Sequence, residues 1–491
     1  MDLSNTGQPK PFIRITIDTL PDDVLLEIFG FYLGAFNRSP FVAGGRNVPL
    51  HVDLWHTLVH VCRRWRCVVS ASTRRLNLRL LCTERRLVKR NIWPEIPIVI
   101  WATIPKSGRS RSQCAKNIVA ALKQHHNRVS RIALWDIPNS LLKKFASMKT
   151  SFPALRHLIL WPTDERAPVL LDSLLEGSTS RLQSLFFHNI PFPALGKLLL
   201  SSRDLSKLHL YNIPHSGFIS PDALVSSLSG LTRLKRLVLS FQSPRSRAVR
   251  GSRVPSSLLR VVLPALADLR FKGDSEYLED MLSRIDTPLH VSLTIVFFNR
   301  LLFDTPFLRD LTNRAQTHKA FHRAAISFSS YGVLFILFQK HGPTESRVLL
   351  DLGISCRPSD WQLSSLTQLI GSSIPPLPAL EHLNILEDCG PLHWQDYIEN
   401  AQWLELLRPF TSAKDLVLSG QLVSLVAPAL GELIGERVTE VLPALQTIFV
   451  KDLRLTGPSP WRTEIGRFVT ARQISGRPVV VDYPENTVDD T

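Results

Sequence analysis

Hydrophobic positions along most of this chain fall into one recurring phrase. Leu-x-x-Leu-x-Leu, often preceded by Pro-Ala, appears as FPALRHLIL, RLQSLFF, DLSKLHL, LTRLKRLVL, LPALADLRF, LPALEHLNI, SAKDLVL and LPALQTIFV. Weaker copies are VSRIALW, HVSLTIV, RAAISFS and SRVLLDL. Taking the last strong apolar position of each copy, the anchors are Leu134, Leu160, Phe187, Leu210, Leu239, Phe271, Ile295, Phe328, Leu352, Ile385, Leu418 and Val450. Successive gaps run from 23 residues (Phe187 to Leu210) to 33 (Leu352 to Ile385). The x-Leu-x-Leu half of the phrase predicts a short strand with alternate side chains inward. The segments between, such as PVLLDSLLEG and SPDALVSSLSG, have helical apolar spacing. Strand plus helix per unit stacks into a parallel sheet with helices on one side, so residues 128–474 read as an irregular α/β solenoid. A compact α/β domain with Leu-rich strands is the alternative, and twelve similarly spaced copies argue against it.

The first part of the chain has a different period. In ITIDTLPDDVLLEIFGFYLG, Pro21 suits the first helical position and Asp22 and Asp23 suit the first turn. Val24, Leu25, Ile28, Phe29 and Tyr32 fall on one stripe, and Gly34 can close the helix. Residues 35–53 read as a loop from their Gly, Pro and Asn content. A second helix is predicted over LWHTLVHVCRRWRCVVS, with Leu54, Trp55, Leu58, Val61, Cys62, Trp65 and Val69 on one face. Two short amphipathic helices need each other, the rest of the chain or a partner groove.

LPDDVLLEIF followed by LVHVCRRWRCVV resembles an F-box: a Leu-Pro-acidic opening, an apolar helix and a closing Val-Cys-Arg-x-Trp. The long loop between the halves departs from the family pattern and resembles the F-box proteins of mushroom-forming fungi. The resemblance implies binding to the Skp adaptor, and through it cullin, in an SCF-type ubiquitin ligase. The adaptor-facing residues would be Leu20, Pro21, Val24, Leu25, Ile28, Val61, Cys62 and Trp65. The repeat spacing is near the ~20–29 residues of leucine-rich repeats, with longer copies. The array resembles the leucine-rich-repeat half of F-box proteins, which in that family captures the protein to be ubiquitylated. The expected organisation is a tail (1–14), an all-helical F-box module (15–85), a connector and first cap (86–127), the solenoid (128–474) and a polar, acidic tail (475–491).

Composition fits this picture without sharpening it. The 491 residues are 44% hydrophobic and 20% charged, enough to bury a core. Lys plus Arg is 58 against 42 Asp plus Glu, a net +16 that favours acidic partners and names none. Six cysteines without a CxxC pair support neither a disulfide framework nor a structural zinc. Met1 to Lys10 has no apolar signal core, and the most apolar run, Val333 to Phe338, stops at Gln339-Lys340. That run is far short of the ~20 residues of a membrane span. No membrane association is expected, and the location is cytoplasmic or nuclear.

Candidate chemistry is sparse. GxGxxG, the P-loop, HExxH and GxSxG are all missing, so no catalytic residue, cofactor or enzyme activity is expected. His157, His188 and His209 sit at comparable strand positions, but no Cys or carboxylate has matching spacing, so no metal is expected. Two basic stretches, Lys106 with Arg109 and Arg111, and Arg245 with Arg247, Arg250 and Arg253, read as solvated loops. Nucleic-acid binding rests on charge alone and is disfavoured. If the leucines point inward, the residues between them face the open side of the sheet. In the first units these include Trp135, His157, Trp161, Phe186, His188, His209 and Tyr211, an aromatic and basic set suited to binding an as yet unknown protein substrate. The competing reading is a covered apolar surface, and at the level of function a stand-alone scaffold for protein or nucleic acid without ligase association.

Overall fold

A computed structural model describes residues 17–37, 54–83, 96–148, 150–164, 169, 180–244, 260–288, 291–298, 305–316, 320–341, 345–356, 359–388, 399–451 and 460–483. The chain forms two compact units, residues 1–164 with 175–178, and residues 165–174 with 179–491. Both mix helices with a sheet that is parallel almost throughout.

The first unit runs α1 (Asp22–Asn37), α2 (Trp55–Val59), α3 (Arg63–Ala71), β1 (Leu80–Cys82), β2 (Ile98–Thr103), α4 (Arg109–Gln124), β3 (Val129–Ile137), α5 (Asn139–Ala146) and β4 (His157–Pro162). Helix α1 begins after Pro21 and continues through Gly34 to Asn37. The single second helix predicted over residues 54–70 is instead two. Cys62 is extended, and its Sγ accepts the Trp65 N–H at 3.4 Å as the cap of α3. Arg66 Nε donates to the Val59 carbonyl at 3.0 Å, satisfying the end of α2. The four strands pair in sequence order, all parallel, with Leu80 opposite Ile98 and Leu134 opposite Leu160. The sheet therefore starts at Leu80, within the span read as helical. Lys106 lies in a short connection, but Arg109 and Arg111 open α4 and are not loop residues.

The second unit runs β5 (Ser184–His188), α6 (Leu195–Ser201), β6 (Lys207–Ile213), α7 (Pro221–Leu228), β7 (Arg236–Phe241), β8 (Val261–Val262), β9 (Asp268–Gly273), α8 (Ser275–Leu282), β10 (Ile285–Asp286), β11 (Ser292–Phe298) and α9 (Pro306–Gln316). It continues with β12 (Phe321–Ser329), β13 (Gly332–His341), β14 (Glu345–Ser355), α10 (Ser359–Ser373), β15 (His382–Glu387), α11 (Asn400–Leu407), β16 (Asp415–Ser419), α12 (Leu422–Gly431), β17 (Thr447–Lys451), α13 (Pro460–Ile474) and β18 (Val480–Asp482). Strand β18 pairs with β17 and lies within residues 475–491, so the span read as a tail contributes a strand to the sheet. Helix α7 follows its sequence signals: Ser220 Oγ accepts the Ala223 N–H at 3.2 Å, and Pro221 and Asp222 fill the first turn. Of the two helical spacers quoted above, PVLLDSLLEG lies outside the described residues, as do residues 38–53 and 245–259.

The Leu-x-x-Leu spacing has a direct structural cause. The first Leu of the phrase donates its N–H to the carbonyl of the apolar residue three before it, closing one tight turn ahead of the strand that holds the other two. Leu155 does this with Phe152 (3.0 Å), Leu234 with Leu231 (3.0 Å), Leu266 with Leu263 (3.1 Å), Leu380 with Leu377 (3.2 Å) and Leu445 with Leu442 (3.0 Å). Both residues of each pair are buried. The strand then alternates, and the anchors stack in register: Phe187, Leu210, Leu239, Phe271, Ile295 and Leu352 form one continuous row. Ile385, Leu418 and Val450 form another.

One anchor and the order of the strands need correction. Ile326, not Phe328, stands opposite Ile385. The sheet is also not purely parallel: its order in this unit passes β11, β14, β13, β12, β15, with β13 antiparallel to both neighbours. A hairpin reverses the chain at Ser330–Tyr331, so the last weak copy pairs with β11 and the one before it with β15.

Candidate functional site

The N-terminal helices divide their apolar residues between two faces. On α1, Leu25, Leu26, Phe29 and Leu33 are buried. Phe29 packs against Trp65 with ring centroids 4.7 Å apart. On the opposite side Val24, Ile28 and Phe31 are 41%, 40% and 77% exposed, and they share one helical stripe. Val61, just before the Cys62 cap, is 59% exposed. Exposed apolar stripes of this kind mark interaction surfaces. Their placement is fixed by charged clamps. Arg64 Nη2 donates to the Leu20 carbonyl (2.5 Å) and to Asp22 Oδ1 (2.7 Å), with Nε on the same oxygen at 3.1 Å. Arg75 spans Asp23 (2.9 Å) and Glu27 (2.7 Å). These pairs are exposed and each contributes little energy, but together they set the angle between α1 and α3.

Of the residues expected to face an adaptor, Val24, Ile28, Val61 and Pro21 are exposed, and Leu20, Cys62 and Trp65 are half-buried. Leu25 is fully buried and faces inward, so it supports the helix rather than contacting a partner. Phe31, the most exposed member of the stripe, escaped the sequence reading. Its spacing of three from Ile28 and seven from Val24 was the available signal.

The second face of the sheet differs between the units. In the first unit Trp101 and Trp135 pack with centroids 4.3 Å apart, in a buried cluster with Leu81, Val99 and Ala133. Ile159 and Trp161 pack against it. Trp135 is only 3% exposed, so it is a core residue and not an open recognition side chain. Strands here are buried on both faces, which explains their unbroken apolar runs. The Arg131 guanidinium lies 5.3 Å from the Trp101 ring centroid, and burial, helped by Arg79, pushes its pKa down to about 10. His157, opposite Arg131 on β4, is half-buried.

In the second unit Phe186, His209 and Tyr211 form an aromatic group, with Phe186 5.1 Å from Tyr211 and 5.9 Å from His209. Phe186 and His209 are buried, at 6% and 8% exposed, and only His188 and Tyr211 are half-open. Burial pushes the His209 imidazole down to about 4, and Arg236, Lys207 and Arg270 act in the same direction against Asp268. His209 is thus neutral at physiological pH.

A second missed signal lies at the ends of these strands. Asp136, Asn189 and Asn212 all have φ between +51° and +54°. They are the second residues of Trp-Asp-Ile-Pro, His-Asn-Ile-Pro and Tyr-Asn-Ile-Pro. Asn and Asp tolerate this left-handed backbone better than other non-glycine residues, and at Asp136 and Asn212 it accompanies a register shift inside the strand, after which Ile137 and Ile213 pair with Pro162 and Phe241. Trp135, His188 and Tyr211 therefore each stand just before a repeated left-handed residue.

Among the described residues no group of three or more His, Cys, Asp or Glu side chains is placed to hold a metal ion. No helix among them is long and apolar enough to cross a membrane. No family model matches this chain, and no curated protein matches it.

Proposed function

We propose that this chain is a substrate-recognition adaptor of an SCF-type ubiquitin ligase. In this reading the N-terminal helices are an F-box that docks on the Skp adaptor and through it on cullin. The remainder is an irregular leucine-rich-repeat-like α/β solenoid that holds the protein to be ubiquitylated, in cytoplasm or nucleus. The chain itself makes and breaks no bonds. Its contribution is proximity, raising the effective concentration of substrate lysines near the ubiquitin carrier.

One observation carries the reading: α1 buries Leu25, Phe29 and Leu33 and leaves Val24, Ile28 and Phe31 outside. A helix serving only as a cap has no use for the second apolar stripe, whose exposure to water is unfavourable. Burying such a side chain in a partner groove contributes about 1.5–3 kcal/mol. The test is co-purification of the full chain with the Skp adaptor. Val24→Asp with Ile28→Asp should abolish it while circular dichroism stays unchanged, because both side chains already face solvent. Undiminished adaptor binding in that variant would sink the assignment and leave the stand-alone scaffold.

A further inference from the structure

The chain reversal at β12–β13–β14 builds a surface that the repeats alone would not. Strand β13 buries Val333, Phe335 and Leu337 in the core, and turns Leu334, Ile336 and Phe338 to the other face, where all three are half-exposed. Register places Leu334 opposite Gly353, and Gly353 opposite Val296. A Cβ on Gly353 would meet Leu334 Cδ2 at 2.7 Å and Val296 Cγ2 at 3.3 Å. Those two side chains therefore close over the glycine and join β11 to β13 in one apolar strip. From β11 to β13 the strip crosses two interstrand steps, about 10 Å.

Cations flank it. Lys272 Nζ lies 5.6 Å from the Phe298 ring centroid, and the Arg323 guanidinium lies 5.4 Å from that of Phe338. Arg270, half-exposed at 52% and already paired with Asp268 at 3.2 Å, stands one strand beyond Thr294 in the same row. Within the strip sits one carboxyl, Asp351, between Thr294 and Ile336. Its Oδ1 is buried and has no hydrogen-bond partner among the described residues, and burial pushes its pKa up against the pull of Arg270. An apolar centre with an unmet acceptor and a cationic border is complementary to an extended backbone, which brings N–H donors, with apolar and acidic side chains.

We propose that this strip docks an extended peptide segment whose apolar side chains cover Val296, Leu334 and Ile336 and whose carboxylates meet Lys272, Arg270 and Arg323. It deepens the cargo half of the adaptor reading and rests on that reading for the role of the bound segment. The probe is a short fluorescein-labelled peptide of alternating Leu and Glu, with a Leu-Lys peptide as control, titrated by fluorescence anisotropy against the purified full chain. The Leu-Glu peptide should bind more tightly, and added salt should weaken it. Lys272→Glu with Arg323→Glu should raise its Kd by about tenfold or more, the equivalent of ~1.4 kcal/mol. Arg203→Glu, an exposed charge reversal outside the strip, should leave Kd unchanged. Ile336→Asp should also abolish binding. If that variant loses its circular dichroism, the Lys272 and Arg323 reversal carries the test, since both side chains reach solvent. Equal binding of the two peptides, or an unchanged Kd in the charge-reversed chain, overturns the proposal. So does competition by an oligothymidylate that the acidic peptide cannot displace, which would give the cations to nucleic acid. The Val24→Asp, Ile28→Asp variant should bind the Leu-Glu peptide normally, so failure of the adaptor reading and failure of this surface are separable.

Discussion

Arg472 on α13 is fully buried and pairs with no carboxylate among the described residues, which makes it the sharpest test of how the last repeat is held. Its guanidinium donates to four backbone carbonyls: Val438 (3.3 Å), Leu442 (3.4 Å), Pro443 (3.3 Å) and Leu445 (3.0 Å). These carbonyls belong to the turn that opens β17, where Leu442 adopts φ +49° with its side chain buried. The left-handed backbone there costs about 1–2 kcal/mol, and the guanidinium holds it in place. Arg472→Met keeps the stem beside Phe468 and removes only the donors. Each buried carbonyl left unmet costs about 1–3 kcal/mol. Relief of the buried charge returns several kcal/mol of desolvation. Taking three buried carbonyls against that relief leaves a net loss of about 3 kcal/mol. Stacked repeats open locally, so the loss appears as local exchange rather than as a single melting transition. The amides to follow are Gln446 and Val480, which bond to Lys414 and Gln446 carbonyls at 2.8 Å. Their hydrogen-exchange protection should fall by roughly 100-fold, since ~1.4 kcal/mol is a factor of ten. Protection within about threefold of the native chain would show that packing alone holds the turn.

Two further expectations are simpler. Trp135→Ala removes a core side chain packed against Trp101 and should cost about 3–5 kcal/mol, seen as a lower denaturant midpoint. A variant of unaltered midpoint would return Trp135 to the open surface. His209, held neutral with its pKa near 4, should make stability pH-dependent. Its folded pKa lies below the unfolded value of 6.5, so the unfolded chain binds the extra proton between the two. The contribution is intact above about pH 6.5 and is lost as pH falls toward 4, at up to about 1.4 kcal/mol per pH unit. His209→Phe should flatten that part of the denaturation profile; an unchanged slope would assign it to other groups.

The repeat was legible in the sequence because one physical rule wrote it many times. A tight turn needs two inward side chains three residues apart, and the strand that follows needs two more at alternate positions. Leucine satisfies both, so the phrase survives wherever the surrounding loops vary in length. The opposite face was legible in identity but not in burial. Trp135, Phe186 and His209 are polar-side positions by alternation, yet all three are covered. Alternation tells which side a residue faces; whether anything lies on that side is a property of other segments. The N-terminal helices show a related limit at one point. A continuous 3.6-residue period put Val61 on one face with Trp55, Leu58 and Val69, but the Cys62 cap breaks the helix and resets the phase, so those three are buried and Val61 is exposed.

The reversal at β13 shows why a repeat pattern loses force where it is interrupted. VLFILF, residues 333–338, is apolar at every position, so period two cannot say which set of side chains is inward. It also lacks the preceding turn that announces every strong copy. Without that marker, the weak copies RAAISFS and SRVLLDL read as successive units in line. A hairpin instead exchanges their order, and each still pairs in parallel with its outer neighbour. This arrangement preserves the hydrogen-bond ladder on both sides, since β13 supplies an antiparallel bridge between two parallel blocks. It leaves the direction of the flanking strands unchanged and inserts one extra strand without its own helix in between. The second face of that strand, with Leu334 and Ile336 half-exposed, is therefore a consequence of the topology. The place where the repeat is least readable is the place where the sheet presents this apolar strip with a cationic border.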